Sequence, residues 1–131
     1  MPPVHSAVFA AISMLLLWAL AARTSQLRLR HGIFAGHGDN ETLRRVSRAH
    51  GVSLEHLLPI LLLLLCLELL GADHRIVDGL GIAMLAGRAL HVAGFLGMKP
   101  EAPLRTTGMG ITYTLEPLLA VLLLTKAAGT W

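Results

Sequence analysis

Four stretches of this chain, at residues 4–22, 54–70, 76–97 and 108–125, stay apolar for close to the length a helix needs to cross a bilayer. About 20 helical residues span the hydrocarbon core. None of the stretches alternates apolar and polar residues with a period of two, as a membrane barrel strand would. A backbone in hydrocarbon has to satisfy its own polar groups, which leaves helices. The pattern predicts an all-α integral membrane protein: a single domain over residues 1–131, built as a four-transmembrane-helix bundle with almost no mass outside the lipid. Composition agrees. The chain is 54% hydrophobic and only 15% charged, with a mean hydropathy of +0.64, and soluble domains carry more charge and shorter apolar runs.

The first stretch has no basic residue before it and arginines after it, so it is read as a retained helix rather than a cleaved leader. The only cysteine, Cys66, lies in an apolar helix and is expected to be an inert buried thiol. The pI of 9.8 does not point to nucleic acid, because the basic residues cluster beside the spans, where topology explains them.

In chain order, the first helix is expected to continue past Ala22 for about two turns through Arg23, Arg28 and Arg30, until Gly32, Gly36 and Gly38 end it. Asp39 or Asn40 is expected to cap the second helix. That helix opens with Arg44, Arg45 and Arg48 and then enters the longest leucine run, where Pro59 is expected to kink it. Glu68 is expected to reach the opposite interface. Asp73 is the expected cap of the third helix, whose Gly79, Gly81, Ala83, Ala86 and Gly87 allow close packing. Arg88, His91 and Phe95 follow on one face. An arginine at that depth needs a partner, and Glu55 and Glu116 are the candidates. Pro100 and Pro103 are expected to stiffen the third connection, and Thr106 or Thr107 to cap the fourth helix. Arg105 then sits at a helix start, where guanidinium and dipole together attract an anion.

Arg48, Val52, Glu55 and Pro59 fall at i, i+4, i+7 and i+11 and share one helical face at the membrane edge. A cation and an anion about two turns apart suit a small zwitterion with carboxylates and an amine. Connections one and three carry most of the loop arginines and lysines, which places that end in the cytoplasm. All the candidate site residues except Glu68 lie near that end.

The residues resemble the MAPEG family, the membrane-associated proteins in eicosanoid and glutathione metabolism. The resemblance runs over nearly the whole chain and is similar to the bacterial branch, microsomal prostaglandin E synthases and microsomal glutathione transferases. It rests on Leu27-Arg28-Leu29-Arg30, on Arg48-Ala49-His50 with Glu55 and Pro59, and on Gly87-Arg88-Ala89-Leu90-His91 with Phe95-Leu96-Gly97. It ends on Ala102-Pro103-Leu104-Arg105-Thr106 and Thr112-Tyr113-Thr114-Leu115. It implies a homotrimer in the bacterial inner membrane, surrounded by lipid, with glutathione bound between subunits near the cytoplasmic face. It implies that Arg28, Arg48, Glu55, His91 and Arg105 contact glutathione, that Arg105 stabilises its thiolate, and that His50, Arg88, Phe95 and Tyr113 complete the binding set. No metal is expected. The implied activity is glutathione transfer to, or peroxide reduction of, hydrophobic small molecules. The alternative is a non-catalytic lipid-binding or scaffold protein on the same fold. A transporter is disfavoured by the lack of an internal repeat. The chain departs from the family pattern at Val52, usually Asn, at Phe95, usually Tyr, and in extra residues between Arg105 and Tyr113.

Overall fold

The computed structural model describes residues 2–97 and 102–130. Its helices, α1 (Val4–His31), α2 (Glu41–Leu69), α3 (His74–Leu96) and α4 (Ala102–Ala127), correspond to the expected spans, and the described residues contain no strand. Each is long and apolar enough to cross a membrane, so the chain is a multi-pass integral membrane protein. α1 and α2 have 28 and 29 residues, or about 42 Å each, against roughly 30 Å of hydrocarbon. The surplus carries the arginines at the end of α1 and the start of α2 out of the apolar layer.

The helix ends follow local chemistry. Gly32 closes α1 with φ 63 and donates its N–H to the Arg28 carbonyl, a left-handed conformation that glycine adopts without steric cost. Asn40 caps α2, accepting from the Leu43 N–H at 2.9 Å. Asp73 caps α3, accepting from the Arg75 N–H at 2.8 Å. One expectation is corrected. Thr106 and Thr107 do not cap α4, which already begins at Ala102. Pro103 occupies its first turn, where a missing N–H is harmless, so Arg105 stands in that first turn and the threonines lie inside the helix. Pro59, where a kink is expected, lies inside α2, which continues through it. The proline removes one backbone donor, and the packed helix retains the others. Lys99 and Pro100, read above as topology marker and stiffener of the third connection, lie outside the described residues.

Glu68 does more than reach the opposite interface. No side chain of α1 caps its own N-terminus. The Glu68 carboxylate does so from α2, accepting from the His5 N–H at 3.0 Å, the Ser6 N–H at 2.7 Å and the Ser6 hydroxyl at 2.5 Å. A carboxylate there satisfies donors that a helix start leaves unpaired, and complements the dipole.

α3 and α4 form the most extensive helix pair. α1 and α4 each pack on both α2 and α3, and do not meet one another among the described residues. Glycine makes the α3–α4 approach possible. A Cβ on Gly108 would stand 2.5 Å from the Gly87 carbonyl oxygen, and one on Gly94 would stand 2.7 Å from the Arg105 nitrogen. Gly81 plays the same part against α1, where a Cβ would meet the Phe9 ring, whereas Gly79 faces open space. In the other half of the bundle the core is apolar, built from Leu57, Ile60, Leu64 and Leu67 of α2, Met84 of α3 and Leu119 of α4. Towards the basic end it turns polar, burying Ser53, Arg88, His91 and Thr112.

Candidate functional site

At the basic end, the start of α2, the end of α3 and the start of α4 enclose a groove of about 620 Å³, within the usual range for small-molecule sites. α2 lines it with Glu41, Arg44, Arg45, Ser47, Arg48 and Gly51, α3 with Phe95 and α4 with Arg105, and His37 closes it from the first connection. The structure therefore brings together Arg48, Phe95 and Arg105 of the residues singled out in the sequence. Glu41 is paired with Arg44 at 2.6 Å and Arg45 at 2.9 Å. Arg48 and Arg105 have no carboxylate partner among the described residues.

Arg105 is held from α3. Its guanidinium carbon lies 5.2 Å from the Phe95 ring centroid, its carbonyl oxygen 3.3 Å from His91 Nδ1, and its backbone against Gly94. The Phe95 ring meets His91 edge-on at 5.0 Å. Two turns of α3 thus fix both the main chain and the charged head of one α4 residue. His91 itself is buried behind the groove, and its Nε2 has no partner among the described residues.

Arg88 has a different place from the one the sequence suggested. It is 1% exposed and bonds neither Glu55 nor Glu116. Its guanidinium donates to Thr112 Oγ1 at 2.5 Å and to the Val52 carbonyl at 3.5 Å, and Thr112 in turn donates to the Gly108 carbonyl at 3.0 Å. Arg88 thereby ties α2, α3 and α4 together inside the bundle, with Nε left unpaired. Val52 is buried, at 7% exposure, and does not line the groove.

The remaining candidates do not line the groove. Arg28 and His50 are half-buried on α1 and α2, and Glu55 is exposed on α2. Tyr113 is 60% exposed and sets its ring edge-on against His56 at 5.5 Å. Glu116 pairs with His56 at 2.6 Å. The sequence reading passed over Glu41, Arg44 and Arg45. The signal was present, since Glu41, Arg45 and Arg48 fall at i, i+4 and i+7 on one face. Among the described residues no group of His, Cys, Asp or Glu is placed to hold a metal.

The groove offers several cations to an anionic ligand. Two guanidiniums without a carboxylate partner among the described residues, and two more shared with Glu41, face one cavity.

Comparison with known proteins identifies the family. The model of the MAPEG family matches residues 6–125. The inner membrane protein YecN of Escherichia coli K12 is 34% identical over 90 residues, covering 69% of this chain and 69% of that protein. Its counterpart of the same name in Escherichia coli O6:H1 matches to the same extent.

Proposed function

The chain belongs to the MAPEG family, and from that membership and the arginine-lined groove we propose that it is a glutathione-dependent enzyme of a bacterial inner membrane. It joins glutathione to hydrophobic electrophiles dissolved in the bilayer, or reduces hydrophobic peroxides with it. The observation that carries this reading is the pair Arg48 and Arg105, two guanidiniums with no carboxylate partner among the described residues, facing one cavity. Glutathione supplies the nucleophilic sulfur. Arg48, with Arg44 and Arg45, takes the carboxylates, and Glu41 takes the ammonium. Arg105, in the first turn of α4, adds its charge to the helix dipole and lowers the thiol pKa from ~8.5.

Arg28, Glu55 and Tyr113 remain outside the groove of a single chain. Glu55 stands exposed where the leucine run begins, and such a carboxylate is costly against lipid. A neighbouring copy would cover it, in keeping with a homotrimer whose glutathione site is shared between subunits. Positive charge at connection one supports a cytoplasmic position for the groove.

Calorimetry of glutathione against the detergent-purified protein tests the reading. Saturable binding that Arg48→Ala weakens by about tenfold or more supports it, since a hydrogen bond to a charged group contributes about 1.5–3 kcal/mol. No binding at millimolar glutathione overturns it and leaves the non-catalytic, lipid-binding role on the same fold.

A further inference from the structure

A second cavity, of about 290 Å³, lies between the start of α2 and the end of α3. Thr42, Arg45 and Val46 line it from α2, at i, i+3 and i+4, and Phe95, Leu96 and Gly97 line it from α3. Arg45 and Phe95 are also walls of the groove, so the two spaces share one partition. Because Val46 and Phe95 line one cavity, Arg45 lies level with the last turn of α3, where the third span ends. The headgroup layer reaches about 5–7 Å beyond the hydrocarbon on each side of a bilayer, so a cation at this level meets lipid phosphate.

Two polar groups in the cavity have donors to spare. Arg45 donates Nε to Glu41 at 2.9 Å, and its two terminal nitrogens make no hydrogen bond among the described residues. Nor does the Thr42 hydroxyl. Arginine bonds a phosphate through paired N–H groups. The cavity also opens onto an apolar path. Leu96 is 47% exposed, and Ala93, Ala89, Ala86 and Ile82 follow it at alternating steps of three and four residues, all exposed. One strip of α3 therefore runs from the middle of the span to the cavity without a polar side chain. A phosphate carrying an acyl chain gains from both features, whereas a soluble phosphate gains from the cations alone. Basic pockets between helices on the cytoplasmic side are where anionic lipid heads bind.

We propose that the cavity between α2 and α3 binds the phosphodiester head of an anionic membrane lipid. The phosphate accepts from the terminal nitrogens of Arg45 and from the Thr42 hydroxyl, and an acyl chain lies along the exposed strip of α3. A phosphate held there fixes Arg45 on the partition, so the lipid sets the position of one groove cation. The site goes beyond the glutathione reading and does not depend on it.

The test titrates the full chain in detergent, without glutathione, and counts retained lipid by native mass spectrometry. Dioleoylphosphatidylglycerol is anionic; dioleoylphosphatidylcholine has the same chains and a zwitterionic head. Wild type should prefer phosphatidylglycerol by about three- to tenfold. Thr42→Glu, at an exposed position one turn before Arg45, should abolish the preference by pairing with Arg45 and repelling the phosphate. Arg45→Gln should abolish it without adding a charge. Arg30→Gln, at an exposed arginine outside the cavity, should keep it. Equal retention of the two lipids by wild type overturns the proposal. So does an equal loss in Arg30→Gln and Arg45→Gln, which would make the preference a property of the whole basic end. Inorganic phosphate that displaces phosphatidylglycerol mole for mole overturns the lipid as the source. Ala93→Trp, on the strip one turn below the cavity, should lower retention of phosphatidylglycerol and leave the assembly intact. Its dissociation on size exclusion would give the strip to a second copy and overturn the proposal. Because glutathione is absent throughout, a negative result leaves the groove's reading standing.

Discussion

The Arg105 guanidinium lies over the Phe95 ring, 5.2 Å from its centroid, so the cation at the start of α4 is steered by an aromatic side chain of α3. Such a contact contributes about 0.5–2 kcal/mol depending on solvation. Phe95→Leu should release the guanidinium and lower turnover of a model electrophile by about two- to fivefold, whereas Phe95→Tyr should keep wild-type activity because the ring face is retained. Steady-state rates with 1-chloro-2,4-dinitrobenzene check this, and an unaltered Phe95→Leu would mean that His91 and Gly94 alone hold Arg105.

Gly94 is the second support. A Cβ there would stand 2.7 Å from the Arg105 nitrogen and 3.1 Å from its Cα, and backbone cannot rotate away as a side chain end can. Gly94→Ala should destabilise the protein by about 1–3 kcal/mol, as overpacking does. Gly110→Ala, in open space on the same α4, should instead be neutral or stabilising by up to ~1 kcal/mol. Thermal unfolding in one detergent compares the two, and equal melting temperatures would remove the close approach from the account.

The spans were legible because hydropathy and length decide them, and the caps Asn40 and Asp73 because short polar side chains before an apolar run have few other uses. Arg48 and Arg105 were legible as candidates from their charge and their place at one end of the bundle, and both line one groove. What could not be read was which way each helix turns. Arg48, Val52 and Glu55 share a face in projection, yet Arg48 lines the groove, Val52 is buried at its edge and Glu55 is exposed outside it. A helical face some 60° wide is split by the line where α3 and α4 dock, at 100° per residue, and no periodicity reports that line. The Arg88 partner was missed because a carboxylate was sought, when a threonine hydroxyl and a carbonyl from two other helices suffice. Glu68 capping α1 was invisible for a simpler reason: its partners lie 62 and 63 residues away.

That cap carries its own prediction. Glu68 accepts from two backbone N–H groups and the Ser6 hydroxyl. Glu68→Ala should cost about 1–3 kcal/mol, since partly buried donors are left unpaired, and Ser6→Ala about 0.5–1.5 kcal/mol. Because both remove the same hydroxyl–carboxylate bond, the double variant should cost less than the sum of the singles. Additive losses in thermal unfolding would show that the bond contributes nothing.

Val52 stands where the family usually has asparagine, and from sequence alone its replacement looks like a lost hydrogen bond to the ligand. Its burial beside Arg88 reverses the expectation. Val52→Asn should leave glutathione affinity within about twofold of wild type, less than one hydrogen bond's worth, and destabilise the bundle by about 1–3 kcal/mol through a buried amide. Calorimetry and a melting curve on the same preparation separate the effects. Tighter binding would put residue 52 on the ligand side of α2.

Arg105→Ala separates binding from activation. The first turn of α4 places a guanidinium and a helix dipole at the same mouth of the groove, so an anion formed there gains from both. In the proposed binding mode the carboxylates and ammonium of glutathione have Arg48 and Glu41, which the substitution leaves in place. Thiolate formation is followed by its ultraviolet absorbance as pH is raised with glutathione bound. In wild type the thiol should ionise about 2 units below its free value, a stabilisation of about 2.7 kcal/mol. A lowered pKa means the thiolate form is favoured from the shifted value upward, so the two proteins should differ most between the shifted and the free pKa and converge above it. Arg105→Ala should move the transition towards ~8.5 and slow turnover near neutral pH by about 10–100-fold, while glutathione still binds. Affinity lost with the thiol pKa unmoved would make Arg105 a carboxylate ligand instead. Neither quantity changing would make it a topological anchor whose charge serves the membrane surface alone.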